Sequence, residues 1–322
     1  MRSFSILTLA FLCAFTLCIL CGTAADPKGA ARFLGRWDIT VPAPEGGRAR
    51  FCWLEVTQDG STLKGRFNSG GGAQFALSEI SVANGELTFA YPQGRPPDQT
   101  KVVWKAAAKG GKLEGTAALG AREGSRTWTG VRAPKWPAKP PKRKPGTPMD
   151  LFNGKDVTGW VGQIPNRALG WSVKDGILRN QDKGANNIYS EKKFNDFKLE
   201  VEFNVAEKSN SGIYLRGRYE IQVADGYGQK DLNVHSQGAL YGYVIPPVNA
   251  CKPAGEWQTY EITLVANRVT VTMNGIKIME NAEVPGITGG ALDASEGAPG
   301  PIMIQGDHGK VQFRKIRVTP LI

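Results

Sequence analysis

The chain is poor in the residues that most often carry chemistry. It holds two histidines, His235 and His308, in 322 residues. Two histidines and unclustered cysteines exclude the usual zinc arrangements. Of five cysteines, Cys13, Cys18 and Cys21 lie near the N-terminus, leaving only Cys52 and Cys251. No disulfide framework follows from one cysteine in each half; an exported protein could pair the two, but both are expected as small buried apolar residues. A Gly-x-Ser-x-Gly elbow is absent, and Ser211 has no histidine nearby in sequence, which argues against serine hydrolase chemistry. Beyond residue 25 no apolar run approaches the length of a membrane-spanning helix. Helical periodicity of any length is missing too.

The one apolar run, residues 6–20, follows Arg2 and precedes Gly22, Thr23, Ala24 and Ala25. A positive end, a short apolar core and small residues read as a signal peptide over residues 1–25, so export to the periplasm or beyond is expected. Leu20 before Cys21 is not the small residue that a lipidated cysteine needs. The formal charge of +11 is unevenly placed. Lys135, Lys139, Lys142, Arg143 and Lys144 supply nearly half of it, in a stretch without acids. That stretch also holds six prolines between Pro134 and Pro148. Proline at this density fixes φ and removes donors, which predicts an extended spacer of about 3 Å per residue. A charged spacer is not a basic folded face with stacking aromatics, so nucleic acid is not an expected partner. Residues 134–148 therefore mark a linker between a domain at 26–133 and one at 149–322.

Both sides read as β. In the first, Trp37, Ile39 and Val41 alternate with polar residues, as do Leu87, Phe89 and Tyr91. Further strands are predicted over 51–56, 63–67, 75–80, 102–107, 113–117 and 127–131, with turns at Asp59-Gly60, Asn84-Gly85 and Gly110-Gly111. This pattern predicts a small antiparallel barrel or sandwich, with Gly35-Arg36-Trp37 resembling a lipocalin-like opening. Gly70, Gly71 and Gly72 precede no helix and are expected as a hairpin rather than a phosphate cradle. In the second, Leu199, Val201 and Phe203, then Tyr260, Ile262 and Leu264, then Val269, Val271 and Met273 alternate likewise. Asn274-Gly275 is a strong hairpin turn. About a dozen such strands predict two stacked antiparallel sheets, a jelly-roll sandwich.

Two segments could carry chemistry. Between Asn210 and Asp225, odd positions Ile213, Leu215, Tyr219, Ile221 and Val223 form an apolar face. Tyr214, Arg216, Glu220 and Gln222 point the other way, because strand side chains alternate. A three-residue turn at 216–218 puts Tyr214 opposite Glu220 and keeps both faces consistent. The resulting polar ledge suits a sugar, or it is a solvated outer face. The second segment holds Gln305 and the turn Gly306-Asp307-His308-Gly309, in which Asp307 would raise the pKa of His308 or fix its tautomer. Metal content is left open, with an oxygen-ligand calcium site near Asp225 or Asp231 as the form it would take.

These segments resemble a known family. Residues 149–160, 210–222, 238–242, 253–258 and 300–317 are similar, in order, to the motifs of the 3-keto-disaccharide hydrolase family. The resemblance implies an all-β, concanavalin A-like jelly roll from Met149 on, preceded by the small barrel as an accessory without chemistry. It implies glycosides oxidised at C3 as substrates; apart from the metal left open above, no cofactor is expected. Glu220 and His308 would then share proton transfers, with Asp307 supporting His308. Arg216 or Tyr241 would stabilise the enolate, and Tyr214, Gln222, Asp225, Tyr241 and Gln305 would line the sugar site. A non-catalytic sugar-binding protein is the alternative, with Trp160, Trp171 and Trp257 as stacking candidates, and a structural surface protein is a further one.

Overall fold

The structure, a computed structural model, describes residues 27–43, 47–94, 97–118, 124–181 and 184–322. The expected signal peptide lies outside them. Among the described residues the chain is almost wholly β, with one helix, Pro27–Ala30. No helix of the described residues is long and apolar enough to cross a membrane.

Nine antiparallel strands form the N-terminal sheet, running up and down so that the first strand, Gly35–Val41, pairs with both Arg50–Asp59 and Ser125–Arg132. Alternation puts Trp37, Phe67, Phe89, Trp104 and Trp128 on one face, where they form a core of their own. Asn84 and Gly85 turn the chain with positive φ at both positions, the geometry that a two-residue hairpin turn requires. The expected strand over 75–80 is instead two short ones, Phe75–Ala76 and Glu79–Ala83.

The C-terminal part stacks two antiparallel sheets. The larger has eight strands centred on Asp196–Val205 and Val311–Leu321, and the smaller has five. Their facing sides bury Leu199, Val201, Phe203, Ile213, Ile221, Ile262 and Phe313, among others, in a single core. Asn274-Gly275 makes the expected hairpin between Met273 and Ile276. Of the tryptophans proposed for sugar stacking, Trp160 and Trp171 belong to this core, while Trp257 is half-buried beneath the guanidinium of Arg314 at 4.4 Å.

The spacer is more tightly held than its prolines suggest. Lys144 N–H and Ile322 N–H each donate to the other's carbonyl, at 2.7 and 2.9 Å, and Gly146 N–H donates to Pro320 at 2.8 Å. Arg143 reaches Asp196 at 2.6 Å. Proline removes its own donor only, so the non-proline residues between still zip onto the last strand.

Nor are the two halves separate in their contacts. Trp53, from the N-terminal sheet, is buried in the C-terminal core, and its indole donates to the Tyr243 hydroxyl at 2.7 Å. Asn68 donates to the same hydroxyl at 3.1 Å, and Tyr243 donates onward to the Ile287 carbonyl at 2.5 Å. Arg36 reaches across to Glu296 and to the Pro285 carbonyl. Cys52 is buried and Cys251 half-buried, and both are free thiols.

Candidate active site

The hairpin of Asn210–Leu215 and Tyr219–Ala224 sits at the edge of the smaller sheet, with Tyr214 opposite Glu220 and Leu215 opposite Tyr219. Arg216 and Gly217 take positive φ in the three-residue turn. The apolar side enters the core as alternation predicts. The polar side is not a solvated ledge, because two later segments roof it. Tyr241 N–H donates to the Glu220 carbonyl at 3.0 Å, while Gly238 N–H donates to Gln222 and Gln222 N–H to Ala239, both at 3.0 Å. From the other direction Glu220 N–H donates to the Thr288 hydroxyl, and Thr288 N–H and Leu292 N–H donate to Arg218 and Gly217. Strand parity tells which side a residue faces, not what later covers that side.

Under this roof lies a cleft of about 250 Å³ lined by Tyr214, Glu220, Tyr241, Asn187, Asn210, Gln305, Asp307 and His308, with Arg48, Gly71 and Gly72 from the N-terminal sheet. Glu220 is only 3 % exposed. Burial is the main reason its carboxyl is pushed up to about 8; the Tyr214 bond opposes this, and the Asp307 charge adds to it. Its carboxyl lies 2.9 Å from the Tyr214 hydroxyl, which is also 3.1 Å from the Gly289 carbonyl. A protonated Glu220 satisfies both contacts, since it can donate to Tyr214 while Tyr214 donates to Gly289. Space for this arrangement comes from glycine. A Cβ at Gly212 would overlap the Glu220 carboxyl, and one at Gly290, where φ is +78°, would sit 2.6 Å from the Tyr214 hydroxyl.

Across the cleft His308 Nδ1 lies 2.6 Å from Asp307 Oδ1. The hydrogen bond to Asp307 raises the imidazole pKa, against partial burial. Burial alone would raise Asp307, but His308, the residue's own backbone N–H and Arg48 outweigh it and hold the carboxylate low. With Nδ1 engaged, Nε2 is the nitrogen left for a ligand. Gln305 lines the same cleft, and its buried side-chain oxygen has no protein partner. Such an acceptor invites a hydroxyl.

Three residues expected at the site are elsewhere. The Arg216 guanidinium is bound to Asp196 at 3.0 Å and to the Asn195 carbonyl at 2.7 Å, with the Trp136 ring 5.6 Å away. Positive φ at the turn swings it out of the strand's alternation. Gln222 is buried and donates to the His235 carbonyl at 3.2 Å, under the covering segment. Asp225 lies past the cleft and accepts the Lys208 N–H at 2.9 Å. Among the described residues no group of three or more His, Cys, Asp or Glu could hold a metal ion, and Asp225 and Asp231 form none. Conversely, Arg48 and Gly71-Gly72 had no local signal. They arrive from a sheet expected to lend no chemistry, and nothing in a strand pattern shows which loop docks where.

The family model for the 3-keto-alpha-glucoside-1,2-lyase-like domain matches residues 147–319. A curated 3-keto-disaccharide hydrolase from Bacteroides thetaiotaomicron is 24% identical over 169 residues, covering 41% of this chain and 57% of that protein. The match thus spans little more than half of that relative. Among solved structures, a candidate glycosyl hydrolase from Parabacteroides distasonis is 28% identical, with 58% of this chain and 94% of that one covered and a TM-score of 0.46. A second from the same organism is 21% identical over 54% of this chain and 94% of its own, with a TM-score of 0.45.

Proposed function

The chain belongs to the 3-keto-alpha-glucoside-1,2-lyase-like domain family, and from that premise we propose that it cleaves glycosides bearing a ketone at C3, by elimination and then hydration. One observation supports this reading above the rest. A buried carboxyl whose pKa is about 8 shares a small cleft with a histidine–aspartate pair.

A C3 ketone acidifies the proton on C2. His308, its Nδ1 held by Asp307, takes that proton at Nε2, and the C–H electron pair moves into an enolate. The enolate collapses to a C1=C2 double bond, the C1–O bond breaks, and Glu220 gives its proton to the departing oxygen. The products are an alcohol and a 2-hydroxy-3-keto-glucal. Glu220 is now a carboxylate and His308 an imidazolium, the states needed for the second half. Glu220 takes a proton from water as the hydroxide adds to C1, and His308 returns its proton to C2. The net result is hydrolysis, with both groups reset. Gln305 and Tyr241 orient sugar hydroxyls, and the route asks nothing of a covalent nucleophile. Export directed by residues 1–25 would place the reaction outside the cytoplasm.

The test is incubation with a 3-keto-glucoside, following enone absorbance and released aglycone. Turnover of the keto sugar is expected, with the unoxidised glucoside inert because its C2 proton is not acidic. A protein that binds keto-glucosides and never turns them over would be a sugar-binding module instead.

A further inference from the structure

Elimination through an enolate needs a partner for the negative charge that develops on the C3 oxygen. Arg216 cannot serve, since its guanidinium is taken up by Asp196 and the Asn195 carbonyl away from the cleft. Arg48 is the one guanidinium among the described residues that line the cleft. We infer that Arg48 is the group that holds the C3 oxygen as it becomes an enolate, so that the N-terminal sheet completes the active site. This rests on the reaction proposed above.

Arg48 is positioned relative to the proton-transfer groups. Its guanidinium donates to Gln163 Oε1 at 2.7 Å, and Asn187 donates to the same oxygen at 2.9 Å. Asn187 Oδ1 in turn accepts the Gly306 N–H at 2.8 Å, one residue before Asp307. A side chain from one sheet is thereby tied in three bonds to the loop that carries His308. Nearby, the N-terminal loop at 70–72 lies against the Gly289-Gly290 backbone, with Gly290 N–H 3.4 Å from the Gly70 carbonyl. Asn68, bonded to both Gly70 N–H and Tyr243, fixes that loop.

The chemistry fits the residue type. An enolate oxygen lies one carbon away from the atom that loses its proton, so its partner must share the base's cleft. Tyr241, Asn187 and Asn210 offer neutral donors there. Arginine stays charged at any working pH and has five N–H donors, and Gln163 occupies one of them. Arg48 is exposed and its bond to Gln163 is a surface one, which contributes little to stability. A sugar in the cleft would displace water from around it and strengthen its effect on the oxyanion.

Arg48→Ala and Arg48→Lys in the full protein test this, with 3-keto-glucoside turnover and C2 hydrogen exchange in deuterated water as readouts. Arg48→Ala should lower kcat by about 10² to 10³-fold, slow C2 exchange in parallel, leave the melting temperature unchanged and recover in part with added guanidinium. Arg48→Lys should fall between, keeping the charge without the fork. Near-normal kcat and exchange in Arg48→Ala, or a loss confined to KM, would overturn the assignment and leave the reaction standing. So would a loss that accompanies a lower melting temperature and resists guanidinium. An inert wild type would sink the reaction itself, and Arg48 with it.

Discussion

Glu220 in the cleft and Asp38 in the seam between the two halves are both carboxyls pushed up, first of all by burial, to about 8 and about 9. Around Asp38 the next influence is Glu296, a second buried carboxyl, with Arg36 opposing. Arg36 bridges Glu296 and the Pro285 carbonyl, and both carboxyls are closed in. Around Glu220 the carboxyl opens on a cleft with His308, Asp307 and Gln305 on its walls. A raised carboxyl pKa alone therefore does not mark a site. Access for a ligand and a complementary proton carrier separate the cleft from the seam.

The largest expected effect tests that separation directly. Glu220→Gln and His308→Asn should each lower keto-glucoside turnover by about 10²-fold or more, while Asp38→Asn should stay within a few fold. Glutamine at position 220 keeps, in its amide N–H, a donor for the Tyr214 hydroxyl in place of the protonated carboxyl, so the fold should hold. The wild-type kcat/KM should be bell-shaped in pH. Its alkaline side falls through about 8 as Glu220 loses its proton. Its acid side reflects His308, whose pKa is raised above 6.5, and Asp307→Asn should move that side to lower pH. A profile flat through pH 8 would show that Glu220 is not the acid.

A smaller effect belongs to the seam. A carboxyl that binds its proton more tightly when folded stabilises the fold most below its unfolded pKa and loses that contribution as pH rises towards the folded value. For Asp38 the window runs from about 4 to about 9. Wild-type stability should fall across it, and Asp38→Asn should remove the part that persists above pH 8, beyond the titration of Glu220. Urea melts at pH 6 and pH 9 measure this; equal slopes in variant and wild type would show that Asp38 ionises freely. Asparagine loses no charge that the fold needs, since the native carboxyl is neutral below its raised pKa.

Alternation was enough to read most of the strands (75–80 being an exception), the 216–218 turn and the pairing of Tyr214 with Glu220, because these depend on neighbours in the chain. The turn at 306–309 was legible for the same reason, as adjacent residues Asp307 and His308 meet wherever that loop goes. Depth was not legible. Glu220 and Gln222 share a face, yet Glu220 lines the cleft and Gln222 lies under the 236–241 covering segment. Arg216 left the pattern because its backbone turns left-handed. Arg48 is more than 150 residues from Glu220 in sequence, and only the docking of two sheets brings them to one cleft. Proline content likewise described the spacer's local stiffness and missed its pairing with Pro320 and Ile322.

The smallest expected effect asks whether the two halves compared above ever part. Cys52 lies in the N-terminal core, fully buried, its thiol pushed up to about 12 by burial. It cannot react until the sheet around it opens, and only the thiolate attacks. In a chain from residue 26 on, with Cys251→Ser, Cys52 is the sole thiol, so its labelling rate reports that opening alone. If the N-terminal sheet opened by itself, labelling would cost less free energy than global unfolding and depend less steeply on denaturant. The contacts argue otherwise. Opening that sheet withdraws Trp53 from the C-terminal core, strips Tyr243 of two donors and leaves Glu296 without Arg36. Opening would also expose the apolar surface of Trp53 to water, which opposes it. The labelling free energy and its denaturant slope should therefore equal the global values. A clearly smaller slope would show an N-terminal sheet that opens alone, and would make the Arg48 wall of the cleft a door rather than a fixture.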